Sequence, residues 1–310
     1  MSVFPVIATI VAAVFACSVF QQWRRRKRVY QLIWFISLAM FVVSAAFEAI
    51  SEFLGWSIPM YRVYLVLSAS QVAIMGAGAL YLILAKNVFT TKGFLAIDVI
   101  LLGIVAFFSW MMTLSSITDY SALMLGAMEY PVAGIGTYSV LAVLGFALGR
   151  KMEPNRKKML HGHVYISFAI ILTLWMGAYA AVASVDSDAF VGGFAVAGHA
   201  MAQHVRNFSP LLSVTGGFLL IGAAFFSFIK TRFTFNLWIA LGGLAIALAG
   251  SIARGGAEFG NILYIGEAIG VILLTKGFID SDKVILERAG RIKSSESGGI
   301  PVTNGESMSE

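Results

Sequence analysis

Hydrophobic residues run along this chain in long blocks separated by short polar links. The blocks cover residues 4–22, 30–54, 61–85, 93–115, 131–149, 164–185, 210–229, 234–252 and 260–279. Their length decides what they are. A helix rises about 1.5 Å per residue, so about 20 apolar residues are needed to cross a hydrocarbon core about 30 Å thick. The pattern predicts an all-α fold, a polytopic transmembrane helix bundle of about nine spans. No soluble domain of ordinary size fits between the blocks. Residues 1–280 are expected to form the bundle and 281–310 a cytoplasmic tail. That tail opens on an amphipathic piece, Asp282 to Lys293, and then turns polar and Ser/Gly-rich, so most of it is expected to be disordered.

Composition agrees. The chain is 59% hydrophobic and 12% charged, with a mean hydropathy of +0.85; a soluble domain carries about twice that charged fraction. The net charge of +6 could suggest a nucleic-acid partner, but the basic residues stand in clusters between apolar blocks. Arg24 to Arg28 follow the first block, Lys86 and Lys92 bracket the third link, and Arg150 to Lys158 fill the fifth. Lys230 and Arg232 join blocks seven and eight, and Lys283 to Lys293 lie in the tail. These are alternate connections, so they share one side, expected to be cytoplasmic. The opposite side holds only Arg62, Arg206 and Arg254. This predicts a multi-pass protein of the cell membrane, with the N-terminus outside and the C-terminus inside, and no role for nucleic acid. The single cysteine, Cys17, forms no internal disulfide. Val14 to Cys17 matches a lipoprotein cleavage site poorly, and the positive cluster follows the first apolar block where a signal peptide would have it precede.

Ionisable groups inside lipid cost about 2.5–3.5 kcal/mol each, so they are the best pointers to function. Glu48 and Glu52 share one face of span two, Arg62 opens span three across a short turn, and Gln71 lies deeper in that span. Glu267 sits inside span nine, Arg254 and Glu258 flank the turn before it, and Arg206 precedes span seven. Glu48, Glu52, Arg62, Gln71, Arg206, Arg254 and Glu267 therefore form a candidate polar cluster in the outer half, open to the outside. The blander reading makes Glu52–Arg62, and Glu267 with Arg254 or Arg206, ion pairs that lock hairpins. Asp98 and Lys276 lie near the inner ends of their spans, where Lys276 can snorkel to the headgroups.

Of the four histidines, His161, His163, His199 and His204, none is at mid-span. His199 and His204 are weak metal candidates, since five residues of a helix turn them onto different faces. No metal and no cofactor is expected, and no catalytic constellation is visible. The segment 186–209 reads as an outer link with a short interfacial helix. Gly266-x-x-x-Gly270, Gly256-x-x-x-Gly260, Gly216-Gly217 and Gly242-Gly243 permit close helix approach, within the bundle or against other membrane subunits. All six prolines lie at block ends or in links. The broken mid-membrane helices of many transporters are thus not seen.

The stretches Gly55 to Tyr64, Gly76 to Leu84, Arg206 to Gly217 and Leu263 to Phe278 resemble a group of uncharacterised polytopic membrane proteins of bacteria and archaea. That resemblance implies the bundle and no activity. A more distant resemblance, to the multi-span sensory modules that precede bacterial signalling domains, lacks a kinase or cyclase domain after span nine. The sequence ranks a non-catalytic membrane subunit or scaffold first. A transporter or channel for a small solute or ion comes second, and a sensor with an outward-facing pocket third; a membrane enzyme comes last.

Overall fold

Lipid offers the backbone no hydrogen bonds, so each apolar block must satisfy its own amides, and it does so as helix. The computed structural model describes residues 3–85, 91–117, 129–190, 200–253 and 260–297. Arg254, His199 and the turn around Glu258 lie outside them. Among the described residues nine helices are long and apolar enough to cross a membrane. They are α1 (Phe4–Arg26), α2 (Val29–Leu54), α3 (Ile58–Ala85), α4 (Thr91–Ile117), α5 (Thr137–Gly149), α6 (Pro154–Val182), α7 (Phe208–Thr231), α8 (Thr234–Ala253) and α9 (Gly260–Ser297). A π-helical turn, Val132–Gly136, leads into α5, so that the fifth span covers Glu129–Gly149. A single turn, Gln203–Arg206, leads into α7. The helix of α9 runs without a break through Ser297, taking in the amphipathic piece of the expected tail.

Local chemistry sets the helix ends. Gly55, at φ 76°, stops α2 in a backbone conformation that side chains avoid. Lys27 and Arg232 end α1 and α7 in the left-handed region, each donating its N–H back to the helix. Their charges suit the negative end of a helix dipole. Pro5, Pro59 and Pro154 sit in first turns, where an amide donor is not missed.

Six helices close a ring. α1 packs on α2, α2 on α3, α3 on α7, α7 on α8, α8 on α9, and α9 back on α1. α3 is shared, because α6 packs against it as well, and α4 and α5 lean on α6 and α7. The heart of α3 is small and apolar, with Ala69, Ala73, Ala77, Ala79 and Leu80 all buried.

Glycine makes the close approaches. A Cβ on Gly216 would collide with the Val72 carbonyl oxygen, and one on Gly76 would stand 2.5 Å from that of Gly216. Between α8 and α9, Gly266 faces Ala249, and Gly242 and Gly270 face each other. The Gly266-x-x-x-Gly270 motif is thus spent inside the bundle. α2 is tied to α3 by side chains that reach backbone carbonyls: Ser37 Oγ donates to Gln71 at 2.7 Å and Trp34 Nε1 to Met75 at 3.2 Å. In lipid such bonds contribute about 0.6 kcal/mol each.

Candidate functional site

The ring brings the N-terminal part of α9 to the C-terminal half of α2, where Val271 clusters with Phe41 and Ala45, and with it Glu267 to Glu48. Glu48 is 1% exposed and Glu267 9% exposed. Their carboxyl groups lie against one another. On α3, one helix away, Tyr64 turns its hydroxyl to the same point and donates to Glu48 Oε1 at 2.6 Å. The second oxygen of Glu48, Oε2, has no hydrogen-bond partner of normal geometry. Tyr264, one turn before Glu267, is buried within electrostatic range of Glu48, Glu52 and Glu267.

Among the described residues neither Glu48 nor Glu267 is paired with an arginine; Arg254, the other partner offered for Glu267, lies outside them. Arg62 Nη2 donates to the Ala183 carbonyl at 2.9 Å, where it caps the C-terminal end of α6, the negative end of that helix dipole. Arg206 bonds Gln203 on its own turn and lies in electrostatic range of Tyr61. Glu52 stands one turn beyond Glu48, on the Tyr264 side. Two carboxyl groups placed side by side, with no cation paired to either among the described residues, repel if both are ionised. Such a pair must take up at least one proton or a positive charge.

Beside the pair is a cavity of about 600 Å³. It runs along α3 from Tyr64 to Met75, about 16 Å at the helical rise. Glu267 stands in its wall, with Leu263, Val271 and Leu274 from the same helix, while Glu48 lies behind. Gln71 is also in the wall; it is 6% exposed and its Oε1 has no partner. Ser209 and Ser213 of α7 add hydroxyls, and most of the rest is aliphatic. Exposed Phe218 of α7 and exposed Ala247 and Ser251 of α8 belong to the lining, so the cavity reaches the surface between these helices. Among the described residues no arginine, lysine or histidine lines it.

Of the predicted site residues, then, Glu48 and Glu267 meet, Gln71 shares their cavity, and Glu52 is close by. Arg62 and Arg206 belong to the link region at that end of the bundle, and Arg254 lies outside the described residues. His204 is exposed and packs edge-on to Tyr179, 5.9 Å between ring centres. No group of three potential metal ligands occurs among the described residues.

Sequence reasoning missed Tyr64 and a second polar cluster. Near the basic end, His161 Nδ1 meets Asp98 Oδ2 at 2.5 Å and Tyr138 donates to Asp98 Oδ1 at 3.3 Å. Phe94 stacks on the imidazole at 5.8 Å. The cluster joins α4, α5 and α6, and its charges are partly wetted, with both side chains 18% exposed. An intramembrane aspartate needs a partner, and His161 enters its span from the same end, which was the available signal.

The chain matches no known family, no curated protein and no solved structure. The site must be read from its own geometry.

Proposed function

We propose that this integral membrane protein is a carrier, which takes a small solute or ion into the cavity beside Glu48 and Glu267. The observation that supports this reading is the carboxyl pair itself. A scaffold needs its buried charges neutralised once and for all by fixed counter-ions. Here Glu267 stands in a cavity wall, next to another acid, and among the described residues no fixed counter-ion is paired with either. With the N-terminus outside, the pair and the mouth of the cavity lie in the outer half of the membrane. The absence of mid-membrane prolines counts against a carrier built on broken helices and leaves one that moves whole helices along glycine seams, α3 against α7 and α8 against α9.

Glu267→Gln separates this reading from the subunit reading. The glutamine amide can donate to Glu48, so a carrier variant should fold. Purified protein in mild detergent should keep the wild-type melting temperature and its co-purifying partners, if it has any. In liposomes, cation or proton flux carried by the wild type should be lost. A variant that melts early or sheds a stoichiometric partner, with a wild type that carries no flux, would instead make the protein a subunit.

A further inference from the structure

The cavity has a polarity that specifies its occupant. Among the described residues, one buried polar atom of the cavity wall is left without a partner, and it is an acceptor. Gln71 Oε1 lies in its wall, 6% exposed and unbonded. Glu48, 1% exposed, lies directly behind Glu267, its carboxyl against that of Glu267. An acceptor buried without a donor is costly, and it is satisfied by a molecule that brings an N–H or O–H group. Charge points the same way. A carboxyl pair that holds one proton carries a single negative charge, with no basic residue in the described lining to offset it.

Size and surface exclude a bare ion as the whole occupant. About 600 Å³ is the volume of a site for a drug-sized molecule. A metal ion would want about six oxygen ligands around it, whereas this wall passes from Glu267 to Leu38, Met75, Leu220 and Leu274. The two ends of the cavity thus ask for different things, a monovalent donor head at Glu267 and a hydrocarbon body below it.

We infer that the cavity beside Glu267, Glu48 and Gln71 binds an amphipathic organic amine, its ammonium head at the carboxyl pair and its apolar body along α3, α7 and α9. The inference rests on the carrier reading and names its substrate class. Tyr64 holds Glu48 in place from behind. Gln71 offers the acceptor for a second N–H or a hydroxyl on the body.

Three probes with one hydrocarbon body and different heads test it: 4-phenylbutylamine, 4-phenylbutanol and 4-phenylbutyrate. Binding to the purified full chain is read by calorimetry and by melting temperature. The amine should bind at least about tenfold tighter than the alcohol, equivalent to one ion-assisted contact, and the carboxylate should not bind. Glu267→Gln and, independently, Glu48→Gln should erase the preference for amine over alcohol. Gly217→Leu and Gly250→Leu should abolish binding of both, because a Cβ at either lining position meets no neighbour within 4 Å and the added side chain fills the cavity without disturbing the helices. Equal binding of amine and alcohol would overturn the amine assignment and leave the carrier reading standing. Binding of all three probes, unchanged by Gly217→Leu and Gly250→Leu, would place them outside the cavity and overturn it too. If no probe binds and the filled variants carry the same flux as the wild type, the carrier reading itself fails.

Discussion

Two neighbouring glycines of α7 provide a test of the packing that shapes the site. Gly216 presses on α3: a Cβ there would collide with the Val72 carbonyl oxygen and lie 2.5 Å from the Val72 carbonyl carbon and 2.6 Å from Ala73 Cα. Gly217 has nothing within 4 Å of the same added atom. In Gly216→Ala the obstacle is backbone, which no rotamer change relieves. α3 and α7 must therefore part by about 1 Å along their seam, an overpacking cost of about 1–3 kcal/mol. Alanine returns up to about 1 kcal/mol in helix propensity at both positions. Gly216→Ala should end up less stable than Gly217→Ala by about 1–3 kcal/mol, since propensity cancels between them. At about 2–4 °C per kcal/mol for a chain somewhat shorter than this one, the two variants should melt several degrees apart. Thermal unfolding in mild detergent, followed by loss of monodisperse protein, reads the difference. Variants that melt together would refute the α3–α7 seam. Because Val72 and Gly217 both line the cavity, a true separation at Gly216→Ala should also weaken whatever binds there.

Other expectations follow from single contacts. Tyr64→Phe removes the one hydrogen bond to Glu48 Oε1 and should cost about 1.5–3 kcal/mol, as for bonds to charged acceptors; a melting temperature unchanged from wild type would show that the contact is idle. Reporter fusions at about residues 120, 195 and 256 should read external and those at about 90, 155 and 300 cytoplasmic, from the alternation of basic links. Opposite signals at two or more sites would invert the proposed orientation and place the cavity mouth inside.

The spans were legible because lipid leaves a sequence little choice: length and apolarity alone mark a crossing helix, and the nine helices observed among the described residues fall on the nine blocks. Charge in lipid likewise singled out Glu48 and Glu267. Their meeting was expected from shared depth, but which other groups join them was not legible. That depends on α9 closing against α1 to complete the ring, and hydropathy carries depth but not the position of a helix around a bundle. Grouping by depth therefore drew Arg62 and Arg206 into the cluster, although the structure turns Arg62 to the end of α6 and Arg206 to its own turn. Tyr64 was not singled out. A tyrosine hydroxyl two turns into an apolar span needs an acceptor, and Glu48 was the nearest candidate.

The central claim is that the carboxyl pair opens onto an occupiable cavity that accepts a cationic head. It is tested most directly by thiol labelling of Ser213→Cys, a lining position, in a Cys17→Ser background that leaves no other cysteine. Intact cells are treated with two membrane-impermeant methanethiosulfonates, one bearing a trimethylammonium group and one a sulfonate. The account predicts that the thiol introduced by Ser213→Cys is labelled from outside, that the cationic reagent is faster, and that Glu267→Gln removes the difference. Labelling no faster than for Val143→Cys, at an exposed apolar position on α5, or equal rates for both reagents with Glu267 intact, would contradict it.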